Sequence, residues 1–148
     1  LMMSMAPNVL TSAGFHRYEV ASYAREGFEC KHNIAYWTGV PYLGLGISAV
    51  TMTQNDARRM RVQDGEVQDD LNRKQMCAED LMMKMRMTRG VSDDELFAAA
   101  VVIPGALDVF NSLVRDKLVK REDGRWKPTF GGWLLGNELY GRIYELAP

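Results

Sequence analysis

Cysteine is scarce in this chain: Cys30 and Cys77 are the only two among 148 residues. Two isolated thiols exclude a disulfide scaffold and suit a reducing compartment. An excess of charge of either sign is also missing. Eighteen basic against nineteen acidic residues leave a net charge of -1, which gives no broad attraction to nucleic acid or to an acidic membrane surface. No apolar run approaches the roughly 20 residues of a membrane-spanning helix. Residues 1–10 have neither the basic start nor the long apolar stretch of a signal peptide. A cytoplasmic location is the expectation. The chain also lacks a natural beginning, since a helical pattern is already under way at Leu1-Met2-Met3-Ser4-Met5, and it reads as a fragment.

What is present predicts two regions of different character. Over residues 1–13 the pattern is helical, with Gly14 as a left-handed cap and Pro7 limiting the early turns. From Phe15 to Ala24, aromatic and β-branched residues alternate with polar ones, which predicts one strand with Tyr18, Val20 and Ser22 on one side and Glu19 on the other. Residues 25–39 read as loop with a short helix, and Tyr42 to Met52 as a second extended piece. Asp64-Gly65 is a two-residue hairpin signal, making a short charged ribbon that links the halves.

The second region is mainly helical. Leu71 to Met87 carries Met76, Leu81, Met83, Met85 and Met87 at helical spacing, a stripe that fits adaptable core packing better than iron ligation. Ser92-Asp93-Asp94-Glu95 is a capping box that opens a helix ending before Pro104. Ala106 to Lys117 is a third helix. Strand, turn and strand follow around Glu122-Asp123-Gly124, and Thr129 caps a final helix to Leu146. This order predicts a winged-helix-like C-terminal domain over 68–148. A nucleic-acid reader would gather Lys and Arg on the third helix and wing. Here Asp108 and Asp116 oppose Arg115 and Lys117, while Glu122 and Asp123 oppose the basic residues of the wing. No nucleic-acid partner is expected.

The residues with chemistry cluster in one short segment. His32 offers an imidazole, a standard axial ligand of haem iron. Tyr36 and Trp37 offer flat apolar walls, and Arg25 and Lys31 lie near enough in sequence to meet propionates. The competing reading makes Tyr36 and Trp37 core anchors and gives His32 a loop hydrogen bond. Cys30 and His32 would share a face if extended, but a zinc site needs four ligands, and only His16 and the distant Cys77 remain.

Three linked motifs carry a family resemblance. Gly14-Phe15-His16-Arg17-Tyr18-Glu19-Val20-Ala21-Ser22-Tyr23-Ala24, then Cys30-Lys31-His32-Asn33-Ile34-Ala35-Tyr36-Trp37, then Tyr42-Leu43-Gly44-Leu45-Gly46 stand in uninterrupted order. This resembles the radical SAM proteins related to oxygen-independent coproporphyrinogen III oxidase, and within them the HemW-like haem chaperone branch, strongly over 14–49 and weakly beyond. The resemblance implies that 1–67 are the last helix and strands of a partial (β/α) barrel with a linking ribbon. The overall class is then α/β plus mainly α. It implies haem bound at His32, Asn33, Tyr36 and Trp37, with His32 as ligand, and client haem proteins as partners. The iron–sulfur cluster and S-adenosylmethionine would belong to a missing N-terminal radical SAM domain, because the cluster's three-cysteine array is absent here. The fragment alone would then have no catalytic residue. A methionine-rich helix built to face that domain would let the fragment self-associate. The rival implication is part of an oxidase decarboxylating coproporphyrinogen III in porphyrin biosynthesis; a third is a protein-interaction module. Ala21-Ser22 and Ser48 depart from the family's Ser-Asn and Gly, so contacts made through those positions are not carried over, and the role of Glu19 stays open between cofactor binding and a satisfied polar residue.

Overall fold

The structure, a computed structural model, describes residues 2–148, with side chains from Met5 onward. It is a mixed α/β arrangement of seven helices and three small sheets among the described residues.

The first helix, α1 (Met2–Ser12), ends where Gly14 takes a φ of 81°. The strand expected over Phe15–Ala24 is instead a small hairpin. Strands β1 (His16–Arg17) and β2 (Tyr23–Ala24) pair antiparallel, and the Tyr18 N–H donates to the Ser22 carbonyl. The chain folds back because Arg17 reaches across it, donating to the Tyr23 hydroxyl at 2.6 Å and to the Val20 carbonyl at 3.2 Å. Helix α2 (Lys31–Trp37) follows.

The extended piece predicted from Tyr42 is only partly so. Strand β3 (Val50–Gln54) begins late, and Tyr42 meets it through a single bridge to Met52. Residues 43–49 are irregular, with Gly44 pressed against the Val50 carbonyl and Ser48 at a φ of 60°. The ribbon is larger than expected, because β3, β4 (Arg58–Gln63) and β5 (Glu66–Asn72) form one antiparallel sheet. Its tight turn is Asp64-Gly65, both at positive φ as a primed hairpin turn requires. Strand β5 runs through positions 67 and 68 into the next helix.

Helix α3 (Arg73–Lys84) starts at Asn72, whose side chain accepts from the Lys74 and Gln75 amides. Strand β6 (Val91–Ser92) leads into α4 (Asp93–Val102), opened by the capping box of Ser92 and Glu95. Helix α5 (Ala106–Arg115) precedes β7 (Val119–Glu122) and β8 (Arg125–Pro128), joined by Asp123-Gly124, again both at positive φ. The sheet order is β6-β8-β7. Strand β6 is not predicted from sequence, because two residues carry no periodicity. Nor is the last helix continuous: α6 (Phe130–Leu134) and α7 (Gly136–Tyr144) break at Leu135. Gly136 opens α7 where a Cβ would strike the Tyr140 ring one turn further on in the same helix.

One apolar cluster joins α3, α4, α5, the wing and α7, with Leu96, Phe110, Leu113, Leu139 and Ile143 fully buried. Met83, Met85 and Met87 are buried within the chain. The exposed methionine face expected to drive self-association is therefore not there, since α7 and α4 already cover α3.

Candidate functional site

Helix α2 is two-faced, which follows from its turn of about 100° per residue. His32 and Tyr36 share a stripe and are exposed, whereas Asn33 and Trp37 share the next, half-buried stripe. The inner pair fixes the helix. The Asn33 amide donates to the Tyr18 hydroxyl at 3.2 Å, and the Trp37 indole donates to Glu19 at 3.2 Å. Glu19 is only 3% exposed and lies where β-bridging to Met87 ties the hairpin to the end of α3. Arg86 completes this joint by lying 5.3 Å over the Trp37 ring and 4.4 Å over the Tyr140 ring.

The outer pair is presented to solvent. The His32 ring is 6.0 Å from the Tyr36 ring, and among the described residues the imidazole makes no hydrogen bond. Tyr36 stacks on Tyr42 at 4.9 Å and 20°, and its hydroxyl donates to that of Tyr42 at 3.0 Å. That hydrogen bond, then burial, raises the Tyr36 phenol above its ordinary pKa. Beyond Tyr42, Leu43, Leu45 and Ile47 are exposed, Ile47 almost wholly. An imidazole, a stacked tyrosine pair and an apolar loop therefore adjoin along one surface, a donor set suited to a flat apolar ligand carrying a metal.

Of the residues named from sequence, the structure thus places His32 and Tyr36 outward and Asn33 and Trp37 inward. Tyr42 was missed as a partner of Tyr36, although its place at the head of the Tyr-Leu-Gly-Leu-Gly segment was the available signal. Cys30 is exposed and Cys77 half-buried, the latter with its thiol pKa raised first by burial. Among the described residues no three His, Cys, Asp or Glu side chains gather as metal ligands. The donor set thus does not fit an iron–sulfur cluster. No described helix is long and apolar enough to cross a membrane.

A second feature lies behind α2. A cleft of about 890 Å³ opens between the β1 hairpin, the turn after α3 and the wing, and Ile34 of α2 faces it while His32 does not.

No protein-family model matches the chain. It is 30% identical over 138 residues to the heme chaperone HemW of Synechocystis sp., covering 83% of this chain and 32% of that protein. To the heme chaperone HemW of Bacillus subtilis it is 27% identical over 158 aligned positions, covering 95% of this chain and 41% of that one. Among solved structures, coproporphyrinogen III oxidase (HemN) from Escherichia coli, described as a radical SAM enzyme, superposes with a TM-score of 0.60 at 16% identity, over 95% of this chain and 39% of that chain. The chain thus spans about a third of the length of the first of these relatives. With the motif order of residues 14–49, the inward anchoring of its helix and these matches together, the chain belongs to the HemW-like radical SAM family and corresponds to a C-terminal part of such a protein.

Proposed function

We propose that this chain is the haem-holding part of a haem chaperone-like protein that passes haem to client haem proteins. His32 is its iron ligand. The observation that carries the reading is the exposed, hydrogen-bond-free His32 imidazole beside the Tyr36–Tyr42 stack. Haem is cargo here. His32 supplies an axial nitrogen, Tyr36 and Tyr42 a flat wall, and Asn33 and Trp37 are positioning residues that hold α2 by their bonds to Tyr18 and Glu19. A neutral imidazole can donate an electron pair to iron without a proton leaving.

The architecture supports a two-unit reading. The order α3-β6-α4-α5-β7-β8, with β6 closing onto β8, supports a winged-helix-like unit in the second half. The unit before it, 1–67 by motif and extended to Asn72 by the run of β5, supplies the haem surface and the edge toward the N-terminal barrel whose strands it would complete. Cluster and S-adenosylmethionine chemistry belong to that barrel, and the sparse cysteines support a cytoplasmic location.

The test is a ferric haem titration of this chain with and without His32→Ala. The expected outcome is a Soret shift on binding and an affinity at least tenfold lower in the variant, about 1.4 kcal/mol. Identical spectra and affinities would sink the assignment. The oxidase reading shares the fold with its structural neighbour, and a full-length protein that consumes coproporphyrinogen III under anaerobic, reducing conditions would establish it instead.

A further inference from the structure

The cleft behind α2 carries an excess of basic residues. Arg17, Arg89, Lys120, Arg125 and Lys127 line it against only Glu29 and Glu122, an excess of three positive charges in a chain whose net charge is -1. Most of these cations are already held. Arg17 is bonded to Tyr23 and Val20, Arg125 donates to the Arg89 and Gly90 carbonyls, and the two lysines share Glu122 at 2.9 and 3.2 Å. Arg89 is exposed and has no ion pair among the described residues. Apolar residues also line it: Met87 is buried, Ile34 half-buried, and Phe130 is 48% exposed at the start of α6. A large ring left half in water at the mouth of a basic cleft is an unfinished surface.

We propose that this cleft is a second, iron-independent ligand site, taking a flat apolar molecule with carboxylate groups. Given the haem reading above, on which the identity of the ligand rests, that molecule is a porphyrin held by its carboxylates. About 890 Å³ is within the roughly 300–1,000 Å³ of small-molecule sites. Phe130, Ile34 and Met87 cover the ring system. Arg89 meets a carboxylate directly, in the forked geometry that guanidinium and carboxylate share. Because His32 points from the other side of α2, iron ligation there and carboxylate capture here involve different surfaces, so the chain holds a tetrapyrrole in two distinct ways.

A metal-free dicarboxylate porphyrin separates the two sites, since it has no iron for His32. Fluorescence titration of the 148-residue chain with protoporphyrin IX, in a non-aggregating detergent-free buffer at low porphyrin concentration, gives the affinity. Arg89→Glu and Phe130→Ser change exposed side chains and are checked for an unaltered thermal unfolding midpoint. The expected result is binding that weakens at least tenfold in Arg89→Glu, weakens in Phe130→Ser, falls as salt rises, and is unchanged in His32→Ala. Absence of binding by the unaltered chain, or equal affinity in Arg89→Glu, would overturn the proposal. So would loss of metal-free binding in His32→Ala, which would mean one site. If His32→Ala leaves ferric haem spectra untouched while Arg89→Glu abolishes protoporphyrin binding, the His32 assignment falls and the cleft stands; the reverse pattern removes the cleft and leaves His32.

Discussion

Residues 73–148 close on a dry core around Phe110, Leu113 and Ile143, whereas between residues 15 and 50 only Glu19, Ala24 and Gly39 are buried. The first region is held by apolar area, the second by directed polar contacts to its neighbour. Trp37 bonds Glu19 inside that region, Arg86 from beyond α3 is sandwiched between Trp37 and Tyr140, and in the sheet between the two regions Arg59 of β4, 1% exposed, reaches Glu79 at 2.5 Å and Asp80 at 2.7 Å on α3. Apolar burial tolerates small displacements, while such bonds hold only in one geometry. On the proposed reading, a segment that presents the His32 imidazole to a ligand gains from being fastened in the second way.

The contrast can be broken from its stronger side first. Phe110→Ala should cost about 4 kcal/mol, the range for a large aromatic removed from a core, and should lower the midpoint of a single denaturant transition. Arg59→Ala should cost about 3 kcal/mol, because it leaves Glu79 half-paired in a dry setting, and amide exchange should quicken in β3–β5 before it does in α5. A smaller loss, about 1–3 kcal/mol, is expected for Trp37→Phe, which leaves the Glu19 carboxylate without its indole donor. Its signature is faster exchange over residues 31–37 with the wing unaffected.

Acid sharpens the same comparison. Burial pushes the Glu79 carboxyl pKa up, but its hydrogen bonds to Arg61 and Arg59 outweigh that and leave it lowered. A carboxylate with a folded pKa below its unfolded value of about 4.3 contributes stability above that value and loses it as pH falls toward the folded pKa. Melts from about pH 5 to below pH 4 should therefore show a steeper fall for the unaltered chain than for Glu79→Gln, whose side chain does not titrate. The least disruptive change is Tyr140→Phe. The Tyr140 hydroxyl is buried with no hydrogen-bond partner among the described residues, so its removal should leave stability unchanged or raise it by up to about 1 kcal/mol while the ring keeps its contact with Arg86.

Legibility in the sequence followed the same line. The caps at Ser92 and Thr129, the turns at Asp64-Gly65 and Asp123-Gly124, and the methionine-rich helix were readable because each is a local signal. The hairpin at residues 16–24 was not, since what bends it is Arg17 crossing to Tyr23 and Glu19 turning inward to a tryptophan eighteen residues away. Strand β6 depends likewise on pairing with β8, more than thirty residues away. At the candidate site the motif located the segment but could not sort its members. His32 and Tyr36 separate from Asn33 and Trp37 only once the helix and its partners are known. The Tyr36–Tyr42 stack needs the loop to return.

The two-faced helix has a consequence for how this segment can vary. Residues 31–37 make about two turns, so one residue inserted or deleted between Asn33 and Tyr36 rotates everything after it by about 100°. Tyr36 would then leave the side of His32, and Trp37 would lose Glu19, in a single event that no point substitution reproduces. Side chains here can be exchanged one at a time, but the spacing from His32 to Trp37 can change only if both the outer surface and its anchor are lost together.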